Sequence, residues 1–212
     1  MATNKSVTRQ HILRAALKRF ARCGYAATSV QQIVDDADVS KPALYYYFTD
    51  KAGLYQALVD QAHDERYQLM QEAAGRGRNV AEKLVEVVAA IFEFSLRNRE
   101  LMRLAFATAF AAPGELPNEG KCRVKGKRNF EFIRSLIEAG QENGELDKRF
   151  ASEELAMGIY GPVTTYVMVG VILAGFELDR RTAERMVKLF FQGASASKQY
   201  IAGASSPKRG QK

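Results

Sequence analysis

Thr28-Ser29-Val30-Gln31-Gln32-Ile33-Val34-Asp35-Asp36-Ala37-Asp38-Val39-Ser40-Lys41-Pro42-Ala43-Leu44-Tyr45-Tyr46-Tyr47-Phe48-Thr49-Asp50-Lys51 reads as two short helices joined by a tight turn. Thr28 and Gln31 have the Thr-x-x-Gln spacing of a capping box, so a helix is expected from Thr28 with Val30, Ile33, Val34 and Ala37 facing inward. Asp38-Val39 makes the turn. Ser40 caps a shorter helix over Lys41 to Tyr47, with Pro42 in its first turn, where a missing N–H costs nothing. Leu44 and Phe48 are four apart and claim its inner face. Asp50 caps the next helix.

Three consecutive tyrosines carry the chemistry of this segment. Successive helical side chains are ~100° apart, so Tyr45, Tyr46 and Tyr47 fan over more than half the circumference. With Leu44 and Phe48 pointing inward, at least two phenols must face solvent or a ligand. A phenol offers an O–H to a phosphate and a ring face to a thymine methyl or a sugar. Lys41 and Lys51 each sit in the first turn of a helix, where the macrodipole disfavours a cation by ~0.3–1 kcal/mol. A phosphate shared with the helix N-terminus would remove that cost. Thr28, as an N-cap hydroxyl, is placed to meet the same backbone. The alternatives are a stacking surface for another helix, solvated lysines and a threonine that only caps.

Upstream, Thr8 to Cys23 forms a helix with Leu13, Leu17 and Phe20 on one stripe and Ile12, Ala16 and Ala21 beside them; Gly24 ends it. Residues 1–49 carry seven Lys/Arg against three Asp, and the acids fall together at Asp35, Asp36 and Asp38. The first helix is left almost purely cationic, as a segment lying along phosphates would be. The whole chain carries a net charge of +7, which also favours a polyanionic partner.

Downstream the period stays helical, so the fold class is all-α, without internal repeats. The fourth helix runs from Asp50 to about Met70. Gly75-Arg76-Gly77-Arg78 breaks the pattern. Helices follow over Ala81–Leu96, Leu101–Phe110, Lys121–Glu142 and Leu155–Phe176, and a last one from its cap Asp179 to about Ala196. The expected division is a helix-turn-helix domain at 1–50, a connecting helix at 51–74, a second helical domain at 79–202 and a disordered tail at 203–212.

This pattern resembles the signature of TetR transcription regulators, from Phe20 and Gly24-Tyr25 through Lys51; the sharp likeness covers about residues 9 to 58. The resemblance implies an N-terminal three-helix reading head and a C-terminal ligand-binding and dimerisation domain. It implies a repressor that binds a palindromic operator in double-stranded DNA as a homodimer and is released by a small apolar effector. Contacts to DNA are then expected from Thr28, Ser29, Gln31, Ser40, Lys41, Pro42, Ala43, Tyr45, Tyr46, Tyr47 and Lys51. Ala43 stands where relatives often carry a polar residue that reaches a base, and Pro42 replaces a common glycine. The expected pocket lining is Phe92, Leu104, Phe106, Phe110, Phe130, Ile133, Tyr160 and Tyr166, each of which ordinary core would also explain. Lys121, Arg123, Lys125, Lys127 and Arg128 read as a solvated helix start, with attraction of an anionic ligand as the alternative.

Leu155 to Phe176 spans 22 residues without a charge, long enough to cross a bilayer. Gly158, Gly161 and Pro162, the interior threonines and tyrosines, and the lack of a second span favour a buried helix instead. The family pairs its last two long helices across a two-fold axis, which puts Val163, Val167, Val171, Met186, Phe190 and Phe191 in the dimer interface. No membrane partner is expected.

An enzyme is not expected. His11 and His63 are the only histidines, Cys23 and Cys122 the only cysteines, and no catalytic set, metal spacing or phosphate-binding glycine loop joins them. No cofactor or metal is called for. Two lone thiols and an N-terminus without an apolar h-region point to the cytoplasm. A DNA-binding adaptor without a pocket is the other rival.

Overall fold

The computed structural model describes residues 2–117, 119–173 and 175–193. Among them are nine helices and no strand: α1 (Ala2–Cys23), α2 (Val30–Ala37), α3 (Lys41–Tyr47), α4 (Lys51–Ala74), α5 (Val80–Arg97), α6 (Arg99–Ala109), α7 (Glu119–Glu142), α8 (Ser152–Ile172) and α9 (Arg180–Gln192). The all-α expectation holds, with most boundaries within a few residues. The exceptions are α1, which starts at Ala2, and α4, which runs one turn past Met70 to Ala74. α9 ends at Gln192 with Gly193 as its cap, short of the expected end near Ala196; residues 194–212, which include the expected disordered tail, lie outside the described residues, as do the side chains of Lys121, Cys122 and Arg123.

The starts of the helices are set by side chains that accept from orphan amides. Ser40 accepts from Ala43, Asp50 from Gly53, Asn79 from Glu82 and Asp179 from Thr182. One cap differs from the reading above. The capping box of α2 is Ser29 with Gln32, not Thr28 with Gln31: Ser29 Oγ accepts from Gln32 N, and Gln32 Oε1 accepts from Ser29 N at 2.9 Å. Thr28 is buried, and its hydroxyl donates to Gly24 O at 2.8 Å, closing the end of α1. Both glycines of the expected breaker matter locally. Gly75 caps α4, and a Cβ on Gly77 would collide with the Lys83 backbone.

Two apolar cores form. The first gathers Ile12, Leu13, Ala16 and Phe20 of α1, Ile33, Val34 and Ala37 of α2, Leu44 of α3, Phe48, and Leu54, Tyr55, Leu58 and Val59 of α4. The second takes the rest of α4 with α5, α7, α8, α9 and part of α6. Truncating a fully buried leucine such as Leu44 in such a core costs about 2–5 kcal/mol. α6 belongs to both: Leu101 and Met102 enter the second core, while Leu104 enters the first. Tyr55 Oη and Thr108 Oγ1 lie 2.8 Å apart, joining α4 to α6 again.

Lys51 ties the start of α4 to the loop before α2. Its ammonium donates to Tyr25 O and Thr28 O, both at 3.0 Å, and lies 4.2 Å from the centre of the Tyr25 ring. Two carbonyls and a ring face therefore offset the dipole cost of a cation in this first turn. Further along, α4 packs on α7 through a cluster of charges. Lys125 bridges Asp64 at 2.7 Å and Asp60 at 3.1 Å; Arg128 reaches Asp64 at 2.8 Å and covers the Tyr67 ring. Burial pushes the Asp64 carboxyl up, but hydrogen bonds from Lys125 and Arg128 outweigh it and hold it below the usual range. His63 of α4 is half-buried beside Gly126 of α7. Burial first, then the charges of Arg66, Lys125 and Arg128, push its imidazole down to about 4.

α8 runs through Pro162 without interruption. It is the one described helix long and apolar enough to span a membrane, and only 33% of its apolar window is buried by this chain. The buried side is not the one expected at a dimer interface. Val163, Val167 and Val171, with Met186 of α9, sit inside the chain's own core. The apolar residues left outside are Met157, Tyr166, Ile172 and Leu189, with Phe190 and Phe191 half-buried beside them. α8 is apolar all round, so periodicity carried no signal for which side faces in.

Two outcomes follow from these contacts. Lys51→Met removes the donor to two carbonyls and should cost about 1–2 kcal/mol in thermal or urea melts; Lys41→Met should leave the melt unchanged. A Lys51→Met melt matching the wild type would contradict the role of that ammonium. For His63 the folded value lies below the ordinary 6.5, so unfolding takes up a proton between pH 6.5 and about 4. Stability should therefore fall as pH drops through that window, and His63→Gln should flatten the dependence. Parallel slopes in the two proteins would show that His63 is not its source.

Candidate nucleic-acid interface

α3 presents its polar face because its apolar face is used up. Leu44 is fully buried, Phe48 is 6% exposed, and the Arg9 guanidinium covers the Phe48 ring. Tyr45 and Tyr46 are then turned outward, at 50% and 65% exposed. Tyr47 is half-buried against the first core and meets Tyr46 edge-on, ring centres 5.0 Å apart. Two of the three phenols face out, as the fan of consecutive side chains required. Ser40, Lys41 and Pro42 are exposed at the start of α3, and Ala43 is half-exposed behind them. The fixed left-handed turn at Asp38, φ 52°, sets the direction in which α3 leaves α2.

The start of α2 adds to the same side of the domain. Ser29, Gln31 and Gln32 are exposed there. Gln31 Nε2 donates to Asp35 at 2.7 Å, which leaves its carboxamide oxygen for a ligand. Because Lys51 holds the Thr28 carbonyl, the first turn of α4 stands next to the start of α2. Two helix N-termini thus converge, an arrangement suited to a phosphate chain.

Several expected contacts are redirected. The Thr28 hydroxyl is inside and occupied, so it has no route to a ligand. Lys51 spends two donors on carbonyls and so holds the two helix starts together. On α1, Arg19 forms a two-point ion pair with Asp36, which pushes that carboxyl down through the hydrogen bond with Arg19. Arg9, Arg14, Lys18 and Arg22 are the exposed cations among the described side chains of that helix. Gln32 was missed as a surface group; the signal was its place three residues after Ser29.

The expected pocket residues divide. Phe92 and Ile133 are buried and Phe106, Phe130 and Tyr160 half-buried in the second core. Phe92 stacks on Tyr166, and Phe130 meets Tyr160 edge-on at 5.7 Å. Leu104 instead fills the first core. Phe110 ends α6 at 76% exposed and lines nothing internal. The helix stripe alone could not say that α6 turns its faces to two different cores. Arg66 was overlooked, although it falls on the inward stripe Val59, Ala62, Met70, Ala73, where a charge is out of place.

The family model described as bacterial regulatory proteins of the tetR family matches residues 12–58. The chain is 23% identical over 201 residues to the "Probable acrEF/envCD operon repressor" of Escherichia coli K12, with 90% of each chain covered. It is 29% identical over 104 residues to the "Probable HTH-type transcriptional regulator YttP" of Bacillus subtilis; there the match spans 48% of this chain and 50% of the relative. Its fold is similar to that of the transcriptional regulator FadR of Bacillus subtilis, solved with stearoyl-CoA: TM-score 0.74, 19% identity, 88% of this chain and 99% of that one covered. The helix-turn-helix matched over 12–58 and the all-helical architecture behind it converge on one assignment: this chain belongs to the TetR family of transcription regulators.

Proposed function

We propose that the chain is a cytoplasmic repressor that binds a near-palindromic operator as a homodimer and releases it when a small molecule enters the second core. The observation that carries the reading is the outward pair Tyr45 and Tyr46 beside Lys41, held out by the burial of Leu44 and Phe48. Residues 1–50 form the reading head, α4 the connection, and residues 79–202 the effector and dimer domain. The reading surface consists of Ser29, Gln31, Ser40, Lys41, Pro42, Ala43, Tyr45 and Tyr46, with Tyr47 and Lys51 supporting it from behind. Repression follows the role in the Escherichia coli relative's name.

The dimer face we propose is the uncovered side of α8, with Met157, Gly161, Pro162 and Tyr166, joined by Leu189 of α9. Two glycine- and proline-bearing surfaces let helices approach closely, and a second copy would remove the apolar area this chain leaves in water. A two-fold pair of reading heads sets half-sites ~34–36 Å apart or a multiple of that. The opposite side of α8 is committed to this chain's core, which favours a dimer over a membrane span.

Release runs through α4 and α6. A ligand lodged between α4, α7 and α8 repositions α4, whose first half is built into the reading head; α6 is carried with it through Leu104 and the Tyr55–Thr108 bond. Two conformations with different head separations are then biased by the ligand's preference between them. The Bacillus subtilis structural relative holds stearoyl-CoA, and an apolar body suits the rings that line this region.

Selection from random duplexes supplies an operator for anisotropy titrations. Tyr46→Ala should weaken binding about tenfold or more, and Lys41→Ala should lower the slope of log K against log salt by roughly one unit, both without changing the melt. Wild-type binding by both variants would move the interface elsewhere. In sedimentation the wild type should be a dimer and Met157→Glu with Leu189→Glu a monomer with weakened operator binding. A monomeric wild type would end the two-fold reading.

A further inference from the structure

Where α4, α7 and α8 meet, the second core contains polar groups that the fold itself does not use. Arg66 points inward from α4. Its Nε and Nη2 are out of contact with solvent and have no hydrogen-bond partner. Its one described contact is with the Tyr160 ring, 5.4 Å from the centre. Two acids of the same helix are already committed, Asp60 and Asp64 to Lys125 and Asp64 also to Arg128. Asn129, 1% exposed, reaches His63 O with Nδ2 at 3.4 Å and leaves Oδ1 unpaired. Thr164, one turn beyond Tyr160 on α8, has a buried hydroxyl without a partner, and Arg128 Nε is in the same condition.

Two guanidinium nitrogens taken out of water without an acceptor are destabilising, and buried polar groups in folded proteins are nearly always paired. The donors among these groups, Arg66 Nε and Nη2 on α4, Arg128 Nε on α7 and the Thr164 hydroxyl on α8, call for a ligand that supplies acceptors. The planar fork of an arginine matches a carboxylate or a phosphate. Around it the walls are apolar: Phe130 and Tyr160 edge to face, with Ile133 and Phe92 in the same core. His63 stays neutral near pH 7 beside Arg66, so it adds no competing charge.

We infer that the effector is an amphipathic anion. Arg66 receives its oxyanion, the Thr164 hydroxyl donates to the same head group, and the apolar body lies along Phe130 and Tyr160. This rests on the reading that the second core holds a small-molecule effector, and it changes that effector's class from simply apolar to apolar with one anionic head. The basic run at the start of α7 is not the anchor, because Lys125 and Arg128 are spent on α4 carboxylates.

The test uses the full-length protein, with melting and operator anisotropy as readouts. The probes are decanoate, palmitate, their CoA thioesters, and the alcohols of equal chain length. An acid or a thioester should raise the melting temperature and act at a concentration at least about tenfold below that of its alcohol. Activity of the free acid identifies a carboxylate head; activity of the thioester alone identifies phosphate. Arg66→Met, relieved of an unpaired charge, should melt at or above the wild-type temperature without ligand and lose the preference for anions. Alcohols as potent as acids, with Arg66→Met unaltered, would leave an apolar effector standing and overturn the anionic anchor. A lower melting temperature for Arg66→Met with the acid's advantage intact would make Arg66 structural, and no shift with any probe would likewise overturn the inference. An anion that stabilises the protein but leaves the operator complex intact would support the site and defeat the release reading.

Discussion

α4 and α6 are each built into two cores at once, and the rest of the molecule depends on that sharing. Leu54, Tyr55, Leu58 and Val59 of α4 pack with the reading head, while Ala62, Met70, Ala73 and Ala74 pack with the larger bundle. α6 does the same over a shorter span, with Leu104 on one side and Leu101 and Met102 on the other. Interiors at close-packed density do not deform smoothly. Under the proposed release, a shift of α4 in the large core would therefore be passed to the small one rather than absorbed in between.

The head itself is rigid for reasons that are local. Ser29 with Gln32, Ser40 and Asp50 fix three helix starts, and Asp38 takes the left-handed conformation between them. The Lys51 ammonium then joins the third start to the first. What leaves the surface of such a domain is whatever its thin core cannot take in, and for α3 that is Tyr45 and Tyr46. Phenols on a short, well-anchored helix bind with little loss of side-chain freedom.

Elements with a strong period were legible in the sequence, because one stripe of apolar residues dictates one buried face. The stripe of α1, the inner face of α3 and the exposure of two tyrosines all follow from spacing alone. What was not legible needed the third dimension. Thr28 and Ser29 both have capping chemistry with a glutamine three residues on, and only the end of α1, at Gly24, decides which hydroxyl is taken. Lys51 reads as a cation awaiting a phosphate until the carbonyls of Tyr25 and Thr28 are seen beneath it. On α8 an all-round apolar surface has no phase, so the valines that enter the chain's own core were indistinguishable from Met157 and its neighbours outside. Arg66 was the reverse case: its place on an apolar stripe was visible, and its meaning needed the unpaired groups of α7 and α8 around it.

The central claim is that a nucleic-acid duplex docks on the outer face of α3 and the start of α2. Hydrogen–deuterium exchange with and without a selected duplex tests it without altering a residue. Exchange should slow over residues 29–32 and 40–47 and change little on the outer face of α8. Protection confined to α8 and α9, with the segment from Ser40 to Tyr47 exchanging as in the free protein, would contradict it.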